Sequence, residues 1–292
     1  MALLVGCRSG GTDGAASASA SASASASAGP APFPVSPEVI AKEVNPTGAA
    51  PYGGRGAVVR GVVRAIGPES PPADPRVLAK ITDDCVAGRA QYEKLFREGA
   101  GRALADVLVA VTGYDAFVPA AAPAVRVVVR ECAFEKRTVA AVFGQRIDVA
   151  ARGTRPYMPR LLGAREGVML VALPNGDPVG LYPDHVGRFT LSDHALPFLR
   201  GDVFVLRYAT AAVTGLDGRF EIRGVPPGTL RLSALLPATL QTVERTIEVK
   251  EGAEVEQELE LHAAPPPAAP PPSASASSAA SPGAASAPPR AR

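Results

Sequence analysis

From residue 57 onward the chain is dominated by short apolar runs that alternate with polar positions. Ala57 to Ile66 is rich in β-branched residues, carries a glycine at Gly61 and stops at Gly67-Pro68. It predicts a first strand, with a bend or bulge at the glycine. Val125, Val127 and Val129 fall on one side of the next clear strand, and Arg126, Val128 and Arg130 on the other, the period of a half-buried strand. Further strands are predicted over Val77–Ile81, Leu104–Thr112, Thr138–Phe143, Arg146–Ala151, Val168–Leu173, Gly187–Leu191 and Asp202–Tyr208. After residue 208 the spacing tightens. Strands are predicted at Ala211–Thr214, Arg219–Ile222, Thr229–Leu235, Thr242–Val249 and Val255–Leu261. Between them, Gly215-Leu216-Asp217-Gly218 reads as a turn with two positive-φ glycines, and Gly224 to Gly228 as a second turn. In the last strand Glu254, Glu256, Glu258 and Glu260 form one row, the solvent side of an edge strand. Many short strands with Gly/Pro punctuation imply sandwiches or barrels.

Composition adds the ends. The chain has 292 residues with 29 Gly and 30 Pro, well above average usage. Residues 17–28 are a Ser-Ala repeat, and residues 263–292 hold only Ala, Pro, Ser, Gly and Arg. Both ends read as disordered, leaving a body large enough for one large or two small domains. Val35 to Val44 reads as a short ordered turn within the N-terminal tether. Collagen is excluded because Gly has no period of three, and no apolar run reaches membrane-spanning length. The net charge of +2 comes without a basic block, which argues against a nucleic-acid partner.

Three cysteines have separate readings. Leu4-Val5-Gly6-Cys7 resembles the lipobox of bacterial lipoproteins. That resemblance implies cleavage before Cys7, its acylation and a lipid anchor in the membrane. Only Met1 to Gly6 precede the cysteine, which leaves the true start of the signal open. Cys85 and Cys132 lie beside apolar stretches of the body, and in an exported protein they are expected to pair. The loop they would close contributes about 3–4 kcal/mol by a chain-entropy argument. Two buried free thiols are the other reading.

Residues 213–236 carry Thr214, Asp217, Gly218, Phe220, Val225, Pro226, Pro227 and Gly228 in a pattern that resembles the carboxypeptidase regulatory-like domain. This implies a transthyretin-like or immunoglobulin-like small sandwich without catalytic residues. The region before it resembles exported bacterial proteins that join a cupredoxin-like domain to such a module. The shared features are Asp83-Asp84-Cys85, Leu104 to Val111, Cys132-Ala133-Phe134, Gly144 to Val149 and Leu196 to Val205. The resemblance reads Gln91–Arg97 as strand, where the residues alone also allow a helix. Copper-binding members of that family carry Asn-x-Asp-x-x-x-His and then Cys-x-x-His-Pro-x-Met. Here Tyr157 stands in place of the first His, and Asp193, Leu196 and Leu199 in place of Cys, His and Met. A blue-copper site needs a thiolate and two imidazoles, so the resemblance implies a scaffold whose copper ligands are lost.

A replacement metal site would draw on Asp184, His185, Asp193 and His194, with Met158 upstream. The competing reading is polar loop residues around a short strand. His262 reads as solvent-exposed. The sequence has no nucleophile elbow, His-Glu-x-x-His, phosphate loop or dinucleotide fingerprint. Asp83-Asp84 is its one tight acidic pair in the body, read as a strand end and not a catalytic dyad.

The expectations are an all-β chain, not an enzyme and without a cofactor. Residues 1–54 form a tether, 55–208 a cupredoxin-like Greek-key sandwich, 209–262 the regulatory-like sandwich and 263–292 a tail. The expected role is an exported envelope lipoprotein that binds a protein or polysaccharide partner. The alternatives are a periplasmic metal-binding or electron-transfer protein using His185 and His194, and an accessory subunit of an envelope transport system.

Overall fold

A computed structural model describes residues 35–165 and 168–264. Cys7, the Ser-Ala repeat and the tail beyond residue 264 lie outside the described residues. Helix α1 (Pro37–Val44) precedes strand β1 (Ala57–Ile66). Two short helices follow, α2 (Pro75–Leu78) and α3 (Val86–Tyr92), and then β2 (Leu108–Thr112). The middle of the chain holds β3 (Ala124–Arg130), β4 (Ala133–Phe134), β5 (Thr138–Val142), β6 (Arg146–Arg152), β7 (Pro159–Leu162), β8 (Val179–Leu181), β9 (Gly187–Asp193) and β10 (Arg200–Leu206). The last third holds β11 (Ala211–Val213), β12 (Arg219–Val225), β13 (Gly228–Leu236), β14 (Gln241–Val249) and β15 (Glu254–His262).

The chain is all-β in architecture, built on two hydrophobic cores. One core is enclosed by a three-stranded sheet, β12-β1-β15, and a four-stranded sheet, β11-β2-β13-β14. The other lies between the sheets β4-β3-β6-β8 and β5-β10-β9-β7. The alternation of β1 explains its place. Ala57, Val59, Val63 and Ala65 are buried, while Arg60 and Arg64 point outward. Its inward face meets Phe220 and Ile222 of β12 and Leu259 and Leu261 of β15 in one cluster. On the outer face Arg60 pairs with Glu254 and Arg64 with Glu258. The glutamate row therefore lies on the exposed side of an edge strand, as the pattern predicts.

This pairing corrects the expected domain boundary. Strands β1 and β2, assigned by sequence to the 55–208 sandwich, belong with strands from residues 211–262. β1 pairs antiparallel with β12 and parallel with β15, and β2 pairs with β11 and β13. The middle sandwich is thus nested between the first two and last five strands of the other. The physical reason is that β1 buries its apolar face only if C-terminal strands flank it.

Other expectations also change. Val77–Ile81 is not a strand: Asp74 accepts a hydrogen bond from the Arg76 N–H, and Pro75 starts the helical turn α2. Val35–Val44 is the helix α1, with Ser36 as its N-cap. Gln91–Arg97, a strand by the resemblance, forms none: its first two residues end helix α3 at Tyr92, and Lys94 makes only an isolated bridge to Pro72. Val168–Leu173 is likewise no strand, its pairing limited to Ala172 with Tyr157. Residues 104–107 precede β2 without joining it, because Asp106 takes φ +63°. In the Asp217-Gly218 turn only Gly218 has positive φ, at +69°.

Gly61 marks a close approach and not a bulge. The register shift in β1 lies between Ala57 and Val58, and a Cβ on Gly61 would come within 1.7 Å of the Gln257 carbonyl oxygen. Gly61→Ala is expected to lower stability by about 1–3 kcal/mol through overpacking. Gly53, with open space around it, is the control. Guanidinium unfolding midpoints that fall equally little for the two variants would refute this.

Candidate functional site

The residues expected to mark a vacated copper site gather at one end of the middle sandwich. Asp193 closes β9, residues 194–199 turn back into β10, and Pro159 of β7 pairs with Asp193. Tyr157, just before β7, is 2% exposed. Its hydroxyl accepts a hydrogen bond from the Cys132 N–H at 2.9 Å, and its backbone pairs with Ala172. Tyr157 therefore acts as a core side chain that holds the turn after β3.

Asp193 is also 2% exposed. Its Oδ2 accepts from the Met158 N–H at 2.6 Å, and its Oδ1 accepts from the N–H groups of Ala195 and Leu196 at 2.8 and 2.9 Å. Three donors thus occupy the carboxylate. A short polar side chain that bonds residues two and three ahead is a turn former. Here the same carboxylate also ties the turn to the β7 segment. Leu199 is fully buried and Leu196 packs against the same core. At all four positions the side chain is engaged in packing or in hydrogen bonds to backbone.

The replacement metal set does not come together. His185 Nδ1 lies 2.8 Å from Asp184 Oδ1, and the Arg165 N–H donates to Asp184 Oδ2 at 3.1 Å. The His185 ring packs against Phe189 at 4.6 Å. His194 is exposed, and its backbone N–H donates to the Met158 carbonyl. Asp193 is committed as above. Among the described residues, no group of three or more His, Cys, Asp or Glu side chains is placed to hold a metal ion. His262 is exposed, as expected.

Partial burial raises the Asp184 carboxyl, but the His185 imidazole and the Arg165 backbone N–H outweigh it and hold it below the ordinary value. A depressed carboxyl contributes stability that is complete above the unfolded pKa and is lost as pH falls through the folded one. His185→Ala is expected to move the Asp184 titration upward, read by carboxyl-carbon NMR. An unmoved titration would show that the imidazole has no hold on it.

Asp83 and Asp84 do not form a dyad. Asp83 faces Arg89 at 3.6 Å, and Asp84 pairs with Arg155 and accepts from Thr82. Cys85 follows directly and forms a disulfide with Cys132. The bridge fixes the start of α3 against the turn between β3 and β4, inside the middle core.

The sequence reading missed a polar cluster between the two cores. Arg97 grips Asp106 with two hydrogen bonds of 2.7 Å and donates to the Gln91 side chain at 2.7 Å. Asp106 Oδ1 also accepts from the Arg137 N–H at 2.7 Å, and its carbonyl accepts from Thr138. The Arg137 guanidinium donates to the carbonyls of Lys94 and Leu95 and lies over the Tyr92 ring at 5.0 Å. Burial pushes the Tyr92 phenol well above its ordinary range and lowers Arg137. The available signal was a lone acid, Asp106, inside the apolar run from Leu104 to Val111. A cleft of about 410 Å³ adjoins the cluster.

Comparison with known proteins yields limited matches. No protein family matches the chain, and no curated protein matches it. Solved structures of amicyanin are similar over part of the chain. A reduced proline-to-phenylalanine mutant shows 19% identity over 28% of this chain and 81% of that one, with a TM-score of 0.25. A Cu(I) methionine-to-glutamine mutant shows 20% identity over 28% and 82%, with a TM-score of 0.24. Values this low carry no argument about copper or electron transfer.

Proposed function

We propose that this chain is a non-catalytic, lipid-anchored protein of the bacterial cell envelope whose β-sandwiches bind a protein or polysaccharide partner. The observation that carries the non-metal half of this reading is the state of Asp193. A carboxylate that accepts three backbone hydrogen bonds, beside a buried Tyr157 and Leu199, serves as the fastening of a closed loop. Three of the roughly four acceptor sites of this buried carboxylate are thus taken by backbone N–H groups. The anchored half rests on the Cys7 motif and on the Ser-Ala tether that follows it. The Cys85–Cys132 disulfide accords with export, since such bonds persist in oxidising compartments. Among the described residues, no helix is long and apolar enough to cross a membrane, so the lipid on Cys7 is the attachment in this reading.

Titration with Cu²⁺ and Zn²⁺ tests the first half. Stoichiometric binding tighter than about 1 μM, lost on His185→Ala or His194→Ala, would replace this reading with a metal-binding one. No such binding is expected. Metabolic labelling with a fatty-acid analogue tests the second. Label is expected on the wild type and absent from Cys7→Ala, and an unlabelled wild type would overturn the anchor.

A further inference from the structure

The cleft of about 410 Å³ beside the polar cluster is lined by residues of both sandwiches, and its size is that of a small-molecule site. Val77, Leu95, Phe96, Phe198 and Leu236 give it an apolar lining, and Tyr92 and Arg137 stand among them. Tyr92 is 6% exposed, and its hydroxyl has no hydrogen-bond partner among the described residues. The charges of Arg137, Asp106 and Arg97, all part of the lining, act on this phenol. The Phe134 backbone lies near the hydroxyl too, but outside hydrogen-bond geometry. Arg137 gives its terminal nitrogens to the Lys94 and Leu95 carbonyls, which leaves its buried Nε–H without an acceptor. A buried donor left unmade costs stability, and native structures hold few of them. Two such donors in one cleft call for the same complement, an oxygen acceptor.

The lining carries charges of both signs: Lys94, Arg97, Arg137 and Arg200 against Asp74, Asp106 and Asp202. Asp106 is taken by Arg97, and Asp202 is taken by Arg188 from outside the lining. Asp74 is turned to its own backbone, where it caps α2 by accepting from the Arg76 N–H. It is the one acid of the lining without a cationic partner. Lys94 and Arg200 are exposed and enter no ion pair among the described residues, and Arg200 spends its Nε–H on the Pro197 carbonyl. With Arg137, three cations of the lining thus stand unpaired against one acid. That balance selects an acceptor that is also negatively charged, since charge-assisted hydrogen bonds are the stronger ones.

We propose that this cleft binds a small amphipathic anion, an oxyanion head on an apolar body. The head accepts from the Tyr92 hydroxyl and the Arg137 Nε–H, Lys94 and Arg200 balance its charge, and the body lies against Phe96, Phe198 and Leu236. Such a ligand also bridges the sandwiches, because Leu236 belongs to the last strands and Phe198 to the middle ones. The site does not depend on the lipid anchor or on a macromolecular partner. Its failure would leave the reading of Cys7 and of the vacated metal site untouched.

The test is isothermal titration calorimetry of the full chain with octanoate and with octyl phosphate. At least one is expected to bind a single site with a Kd tighter than about 1 mM, and the tighter of the two names the head. Octanol has the body without the charge and acetate the head without the body, so each should bind at least about tenfold more weakly. Lys94→Glu together with Arg200→Glu should weaken the bound probe at least about tenfold at low salt, and by less as salt rises. Tyr92→Phe keeps the ring under Arg137 and removes only the hydroxyl. It should weaken the probe about tenfold while Tm holds or rises, because an unmade buried donor is gone. No binding of either probe up to about 10 mM, or equal binding of octanol, would overturn the site. So would a Tyr92→Phe chain that melts lower and binds the probe like wild type, since the hydroxyl would then serve the fold alone.

Discussion

Asp106→Ala is expected to destabilise the folded chain by about 3–5 kcal/mol. The Arg97 and Asp106 side chains are 11% and 7% exposed, so both charges have left water. Removing the carboxylate leaves the Arg97 guanidinium buried without its counter-charge. It also strips the Arg137 N–H of its acceptor. Much of the effect is the penalty of an uncompensated buried charge, not the net worth of the pair. Asp106→Asn separates these contributions. Asparagine tolerates the positive φ of this position about as well as aspartate and keeps one acceptor oxygen, so its loss should be smaller. The cluster joins Arg97 and Asp106, at the approach to β2, to Glu135, Arg137 and Thr138, at the approach to β5. Uncoupling of the two sandwiches is therefore expected, visible as a second step in denaturant unfolding of the alanine variant. A single transition with a midpoint matching wild type would sink this account.

Replacing Cys85 and Cys132 together by alanine is the second large effect. The bridge closes a sequence separation of 47 residues, and its removal is expected to cost about 3–4 kcal/mol by restoring freedom to the unfolded chain. For a body of this size that corresponds to a fall in Tm of roughly 6–15 °C. Reduction of the wild-type protein in denaturant, followed by refolding under reducing conditions, should reproduce the same fall. A melting temperature within about 2 °C of wild type would mean that the native contacts of Cys85 and Cys132, both nearly fully buried, hold the segment without the bond.

The strands themselves were written plainly in the chain. Val59, Val63 and Ala65 against Arg60 and Arg64 fix β1 to its residue limits, and the glutamate row fixes the outer face of β15. A period of two reports which side of a strand is buried, but not which strand lies beside it. That is why the nesting of one sandwich within the other escaped the sequence: the partners of β1 lie more than 150 residues away. The segment Val86–Tyr92 failed for another reason. Its run Val-Ala-Gly-Arg-Ala-Gln-Tyr has no alternation, and the disulfide at its first turn holds it in place. At the candidate site, the identities of Tyr157, Asp193, Leu196 and Leu199 were legible as departures from a ligand set. Their actual roles depend on the Cys132 and Met158 backbone N–H groups, which no local pattern reveals.

The parallel pairing of β1 with β15 has a mechanical consequence. Ala57, where the chain enters the sheet, lies near Glu254, whereas His262, where it leaves, lies beside Ile66. Entry and exit are thus at opposite ends of a nine-residue ladder from Val58 to Ile66, about 30 Å apart at 3.3 Å per residue. Tension between the two flanking tails, once helix α1 has peeled away, would pull β1 and β15 past one another along their length. All rungs of such a ladder share the load, unlike a hairpin that opens one rung at a time. A chain held at one end and tugged at the other would meet its stiffest element first.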